Sequence, residues 1–194
     1  IPNGVSLAAL NNIYSNQTII FAAGRIIPNK GCHTFLEALI KMKYLREIVI
    51  IGDLNQMQSY NTKIKDLAKS LENIKFVGLI RDRNILNQYL RNTQLFVYPS
   101  EIESMSMMLL EVASLRTPII CADIQENKDI FDDSEVLFFK KSNSDELSEK
   151  IKWAQSNYGL MQDKAERAYT KLKLNYQWKD ISKKYSQVYD KFLF

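Results

Sequence analysis

Short apolar runs recur along the chain at Thr18 to Ala23, Glu47 to Ile51, Lys75 to Val77, Leu95 to Tyr98, Thr117 to Cys121 and Val136 to Phe139. Segments of helical character lie between them, such as Thr34-Phe35-Leu36-Glu37-Ala38-Leu39. Strands that alternate with helices predict a parallel sheet covered on both faces. Uninterrupted runs such as Ile48-Val49-Ile50-Ile51 fit strands buried on both sides, as that sheet requires. The expected fold class is α/β, a Rossmann-like doubly wound parallel sheet of about six strands. Beyond Asp145 the pattern is helical, with breaks predicted near Asn157-Tyr158-Gly159 and Asn175-Tyr176-Gln177. From Trp178 to Phe194 the apolar positions Trp178, Ile181, Tyr185, Val188, Tyr189 and Phe192 form a helical stripe that needs a surface to lie on.

Composition narrows the class. With 194 residues, of which 46% are apolar, the chain can bury one good core, which excludes disordered and fibrous proteins. The net charge of +4 is spread among 22 acidic residues, a mild basicity suited to an anionic small ligand or a membrane surface rather than to nucleic acid. Cys32 and Cys121 lie in apolar contexts without CxxC spacing, which predicts reduced core residues of an intracellular protein. His33 is the only histidine, so histidine-rich metal clusters are excluded, and its place in a first helical turn predicts a surface or half-buried ring. No run of about twenty apolar residues could cross a membrane. The opening Ile1-Pro2-Asn3-Gly4-Val5 reads as a turn inside a longer protein.

Three of the six glycines, Gly24, Gly52 and Gly78, stand where predicted strands end, as turn residues or where a ligand comes close to the backbone. After the first strand runs Gly24-Arg25-Ile26-Ile27-Pro28-Asn29-Lys30-Gly31, a loop leading into a helix. Arg25 offers a planar fork for two phosphate oxygens and Lys30 a mobile point charge, at a helix start that already favours anions. Together they suit a diphosphate, although the loop has neither the GxxxxGK[ST] nor the GxGxxG pattern. Glu103 and Glu111 lie eight positions apart after the fourth strand. One carboxylate falls in the turn and the other within the next helix, so both can face the crevice at the carboxyl ends of the sheet. Taken singly, each of these groups also reads as a solvated surface charge.

In order and spacing these segments resemble the carboxyl-terminal domain of group 1 retaining glycosyltransferases, GT-B enzymes built from two Rossmann-like halves. The resemblance runs through Asn3-Gly4-Val5, Gly24-Arg25, Lys30-Gly31, Gly52-Asp53, Val77-Gly78, Pro99-Ser100, the pair Glu103 and Glu111, Pro118-Ile119-Ile120 and the tail from Trp178. It implies an interdomain linker region at 1–17, a nucleotide-sugar-binding domain at 18–175, and a closing helix at 176–194 that packs toward an absent amino-terminal domain.

It further implies a hexosyltransferase of bacterial cell-surface polysaccharide synthesis, cytoplasmic, with peripheral contact at the inner membrane face compatible. The donor would be a nucleoside diphosphate sugar of UDP or GDP type, with no metal or other cofactor. The acceptor, a glycan or lipid-linked sugar, would be bound through the missing half. In such enzymes the residues matching Arg25 and Lys30 bind the diphosphate and stabilise the leaving group, and Glu103 contacts the transferred sugar. Glu111 would accept from the ribose hydroxyls, and backbone at Ser104, Met105, Ser106 and Met107 would face sugar and phosphate. Gly24, Gly52 and Gly78 would allow close approach, and Leu79, Ile80 and Arg81 would pack on the base.

The chain departs from the pattern in three places. Glu103-Ser104-Met105-Ser106 stands where many members have Glu-Gly-Phe-Gly, which leaves donor choice open. Arg116 replaces a common glycine, which predicts a different helix end, and Ile124-Gln125 replaces a frequent Gly-Gly, which predicts a loop without ligand contact. The competing reading is a non-catalytic nucleotide-sugar-binding or scaffold domain of the same fold. A nucleotide-sugar epimerase should use other acid and base residues, and a receiver domain needs an acidic cluster where Gly24-Arg25 stands.

Overall fold

The computed structural model describes residues 2–6 and 18–190, so most of the predicted linker region and the last four positions of the predicted closing helix lie outside the described residues. Six strands form one sheet: β1 (Ile19–Arg25), β2 (Ile48–Asp53), β3 (Ile74–Gly78), β4 (Leu95–Tyr98), β5 (Ile119–Ala122) and β6 (Leu137–Phe139). Each falls on a predicted apolar run, with ends that differ by at most two residues. The order is β3-β2-β1-β4-β5-β6 and every neighbouring pair is parallel. Chain direction across the sheet therefore reverses between β1 and β4, the point where such sheets open a crevice at their carboxyl edge.

Successive residues of a strand point to opposite faces, and the core divides accordingly. On one face Ile19 and Phe21 of β1 and Ile48 and Ile50 of β2 pack with Phe35, Leu36 and Leu39 of α1 (Cys32–Lys41) and with Leu147 and Ile151 of α6 (Ser144–Ser156). On the other, Ile20, Ala22, Val49 and Ile51 meet Leu86 and Leu90 of α3 (Arg83–Arg91), Leu109 and Leu110 of α4 (Met107–Ser114), and Leu172 of α7 (Tyr158–Asn175). The remaining helices are α2 (Gln58–Ala68), the short α5 (Gln125–Lys128) and α8 (Trp178–Asp190). β3 is an edge strand and leaves Lys75 and Phe76 exposed, which is why its apolar run was the shortest in the sequence.

Both predicted helix breaks are present, at Asn157 and at Tyr176-Gln177. The second break carries a parallel bridge from Val5 to Gln177, and a Cβ added to Gly4 would meet Trp178 at 2.7 Å, so the first described segment lies directly against the start of α8. Cys32 and Cys121 are free and buried, and burial pushes both thiols well up.

His33 is half-buried, its Nδ1 2.9 Å from the Tyr60 hydroxyl. Its pKa is held below the ordinary range, first by burial and then by Lys63. As pH falls the unfolded chain takes up this proton before the folded one, so the contribution to stability is complete above about pH 6.5 and lost below it. The melting temperature of the wild type is expected to fall further between about pH 7 and about pH 5 than that of His33→Gln; parallel curves would contradict this.

Candidate functional site

The site lies at the switch point, where the loops after β1 and β4 are joined through backbone. β1 ends at Gly24-Arg25, the buried Ile26 follows with its amide bonded to Asp53 O at 2.8 Å, and a single 3-10 turn, Pro28–Lys30, leads to Gly31 and α1. Gly31 has φ of +69°, and an added Cβ would stand 2.1 Å from the carbonyl oxygen of Pro99, so the loop approaches the end of β4 as closely as only glycine permits. Asn29 O accepts from the Glu101 amide at 2.8 Å and from Ser100 Oγ at 3.2 Å. These bonds set the two loops edge to edge.

That junction brings together two of the residues singled out from sequence. Lys30 Nζ lies 2.6 Å from Glu103 Oε1, with the side chains 21% and 10% exposed, so the ion pair is screened far less than a surface pair. The same oxygen accepts from the Tyr98 hydroxyl. Behind it Ser106 Oγ donates to Asn127 Oδ1 at 2.5 Å, and Asn127 Nδ2 donates to Ala122 O at 2.8 Å. Met105 Sδ accepts from the Asn3 amide at 3.1 Å, which ties the loop after Glu103 to the first described segment. Arg25 is exposed and forms no ion pair among the described residues, leaving its guanidinium available at the mouth of the loop.

Helix α4 starts at Met107 with Ser106 as its N-cap. The Met107 amide is bonded to Met105 O at 2.9 Å, so of the four backbone positions expected to face a ligand this one already has an internal partner. Glu111 is the fifth residue of α4, and its Oε2 is 2.5 Å from Arg83 Nη1, at the first turn of α3. Arg83 borders two cavities. One, of about 350 Å³, is lined by Gly24, Ile51, Leu79, Ile80, Arg81 and Met108 among others, and has the apolar walls and backbone edges that suit a flat base. The other, of about 450 Å³, contains Glu111, Met107, Gly4 and Trp178.

The expected residues Leu79, Ile80 and Arg81 thus line one cavity together with Gly24. Gly78 has φ of +84° just before them. Gly52 packs against Ala23 O and Ile26, outside the residues lining that cavity, so its place is internal. Sequence reasoning did not find Arg83, Tyr98 or Asn127. Asp82 caps the start of α3, its carboxylate accepting from the Asn84 amide at 2.8 Å, but no spacing rule connects Arg83 with a glutamate 28 positions away.

Two departures noted in the sequence resolve physically. Arg116 has φ of +57°, and the Thr117 amide reaches back to Val112 O, so α4 ends as it would with glycine and the expectation of a different helix end is corrected. The left-handed backbone costs about 1 kcal/mol. It is offset where the guanidinium lies 3.7 Å above the Tyr169 ring and Nε donates to Glu166 at 2.8 Å. Ile124 is buried in the core at the start of α5, which accounts for a large side chain there.

Among the described residues no helix is long and apolar enough to cross a membrane. The description "Glycosyl transferases group 1" matches residues 8–171. The capsular polysaccharide biosynthesis glycosyltransferase CapH of Staphylococcus aureus is 27% identical over 150 residues, 76% of this chain and 41% of that protein. Sucrose-phosphate synthase from Thermosynechococcus elongatus superposes with a TM-score of 0.86 at 18% identity over 99% of this chain and 52% of its own. HepE of Anabaena, solved with UDP-glucose, superposes with a TM-score of 0.82 at 16% identity over 91% and 50%. The chain spans less than half the length of the curated relatives it matches. With a six-stranded parallel sheet of this order and a family match over most of its length, the chain belongs to the group 1 glycosyl transferases.

Proposed function

We propose that this chain is the donor-binding half of an enzyme that transfers a sugar from a nucleoside diphosphate sugar to an acceptor. The observation that carries this reading is the pairing of Lys30 with Glu103 at the β1–β4 switch point, with Arg25 exposed at the end of β1 and Gly24 before it lining a base-sized cavity bordered by Leu79, Ile80 and Arg81. In this reading the base enters that cavity, the ribose hydroxyls donate to Glu111, the diphosphate meets Arg25 and Lys30 at the start of α1, and the sugar lies against Glu103. UDP is the first candidate nucleotide, because HepE, a structural neighbour, was solved with UDP-glucose.

The chemistry follows from charge. As the bond from the sugar to the diphosphate breaks, negative charge grows on the leaving oxygen, and two cations stabilise it there. Arg25 and Lys30 supply that charge from side chains, so the reading includes transfer without a metal. It also includes retention of anomeric configuration, the stereochemical course that the resemblance implies. Product analysis by NMR checks the second point, and turnover in excess chelator the first.

The reading divides the chain at 1–17, 18–175 and 176–194 into linker, donor domain and closing helix. In α8 only Ile181 is buried, while Trp178, Val188 and Tyr189 are exposed, a stripe fitted to the amino-terminal half that would bring the acceptor. Lys179, Lys183 and Lys184 on the same helix are exposed and would face an anionic membrane if the acceptor is lipid-linked. A role in bacterial surface polysaccharide synthesis is supported by the relative CapH, a capsular polysaccharide biosynthesis glycosyltransferase by name.

The test is calorimetric titration of the chain with UDP, GDP and ADP in chelator. One nucleotide is expected to bind, and Glu111→Ala to weaken it by about tenfold or more, the scale of hydrogen bonds to a charged group. Folded protein that binds none of them in the millimolar range would overturn the reading in favour of a scaffold domain.

A further inference from the structure

A single carboxylate oxygen joins the phosphate loop to the interior of the domain. Glu103 Oε1 accepts from both Lys30 Nζ and the Tyr98 hydroxyl, while Oε2 has no partner among the described residues. Two donors on one oxygen fix the direction of the carboxylate and leave the other oxygen for a ligand.

The two donors differ in kind. Lys30 sits at the end of a flexible stem in the phosphate loop, and in the reading above its ammonium must turn toward the diphosphate. Tyr98 ends β4, is 5% exposed, lies 6.0 Å from the Phe96 ring, and pairs through its backbone with Cys121 of β5. Burial and the neighbouring carboxylate both hold its phenol well above the ordinary range, so it keeps its proton and acts toward Glu103 as a donor. Ser106 and Asn127, both fully buried, form a second polar pair that reaches Ala122 O on β5. The support for Glu103 therefore rests on the sheet and not on the loops.

We propose that Tyr98 is a positioning residue for the transferred sugar: it keeps Glu103 in place when Lys30 moves to the diphosphate, so that the free carboxylate oxygen meets the sugar hydroxyls in a fixed direction. A carboxylate only accepts hydrogen bonds, and sugar hydroxyls donate them, so the match depends on orientation. The proposal rests on the donor-site reading given above. It also suggests how the sugar loop holds its shape with Ser104 and Ser106 where many relatives have glycine: Ser106 is bonded to Asn127, and Met105 between them to the first described segment.

The experiment compares wild-type chain with Tyr98→Phe, which keeps the ring and its packing, by titration with UDP, GDP, UDP-glucose, UDP-N-acetylglucosamine and GDP-mannose. Affinity for the bare nucleotide is expected to stay within about twofold. The gain in affinity that the sugar adds is expected to drop by about tenfold, the scale of one hydrogen bond to a charged group. Glu103→Gln should cause the same loss, and the double variant no more than either alone, because both act through one contact. Equal losses for nucleotide and nucleotide sugar would show a merely structural tyrosine and overturn the proposal, as would no loss at all. If the wild type binds a nucleotide but gains nothing from any sugar, the Tyr98 assignment fails alone. If it binds no nucleotide, the donor-site reading fails and takes this proposal with it.

Discussion

Lys30→Ala in the full-length protein is expected to lower kcat by about 10²–10³-fold, the range seen when one preorganised donor is removed from a developing charge. The physical reason is the timing of the interaction. In the free chain the Lys30 ammonium lies 2.6 Å from Glu103 and is 21% exposed, so it is neither free nor strongly solvated. In the proposed reading, donor binding offers it the diphosphate, whose charge then increases as the sugar leaves. An interaction that strengthens along the reaction lowers the barrier, and its loss appears in kcat rather than only in KM. Lys30→Arg should recover little, because a planar fork does not occupy the space of a point charge beside Glu103. Initial-rate kinetics over a range of donor concentrations provide the check. A raised KM with unchanged kcat would make Lys30 a ground-state binding group and remove the leaving-group role.

Gly31→Ala is expected to cost about 2–3 kcal/mol of stability, measured by urea unfolding, and to abolish nucleotide binding at the same time. The residue has φ of +69°, a region costly for any side chain, and its Cβ would stand 2.1 Å from Pro99 O and 2.9 Å from Pro99 C. Those are backbone atoms at the end of β4, so no rotamer change relieves the clash. The loops must separate, and with them Lys30 from Glu103. Gly159→Ala is the control, since an added Cβ there meets nothing within 4 Å and the position lies in the first turns of α7. A Gly31→Ala variant as stable as wild type would show that the two loops are not held together by this approach.

Much of this architecture is legible along the chain. The six apolar runs mark six strands because a sheet buried on both faces needs uninterrupted apolar residues, and Ile48–Ile51 has them. The edge strand β3 was the least distinct because half of it faces solvent. The breaks before α7 and α8 were visible at Asn157-Tyr158-Gly159 and Asn175-Tyr176-Gln177, where asparagine and glycine are weak helix formers. Within the site, Arg25, Lys30 and Glu103 could be picked out because each is a charged residue at or soon after the end of an apolar run, and Glu111 because it stands eight positions after Glu103 in the helix that follows.

Their partners could not. Tyr98 looked like the last apolar residue of a strand, and only the fold shows its hydroxyl at Glu103. Arg83 carried no signal in the sequence; it meets Glu111 only because the fold sets α3 beside α4. Asn127, two positions past the Ile124-Gln125 read as a loop, drew no reading, yet it is fully buried and braces Ser106. Arg116 seemed to change a helix end, whereas a stack on Tyr169, 53 positions later, supports the backbone that glycine usually adopts.

The division has a simple cause. Burial on both faces and strand–helix alternation are local properties with a period, so the sequence by itself determined the sheet, its helices and which edge carries the charged groups. Pairing between side chains depends on which elements the fold makes neighbours, and distance along the chain says nothing of that. Only the tertiary structure decided that Lys30 and Tyr98 share one oxygen of Glu103, that Arg83 holds Glu111, and that Gly31 brings two loops into contact.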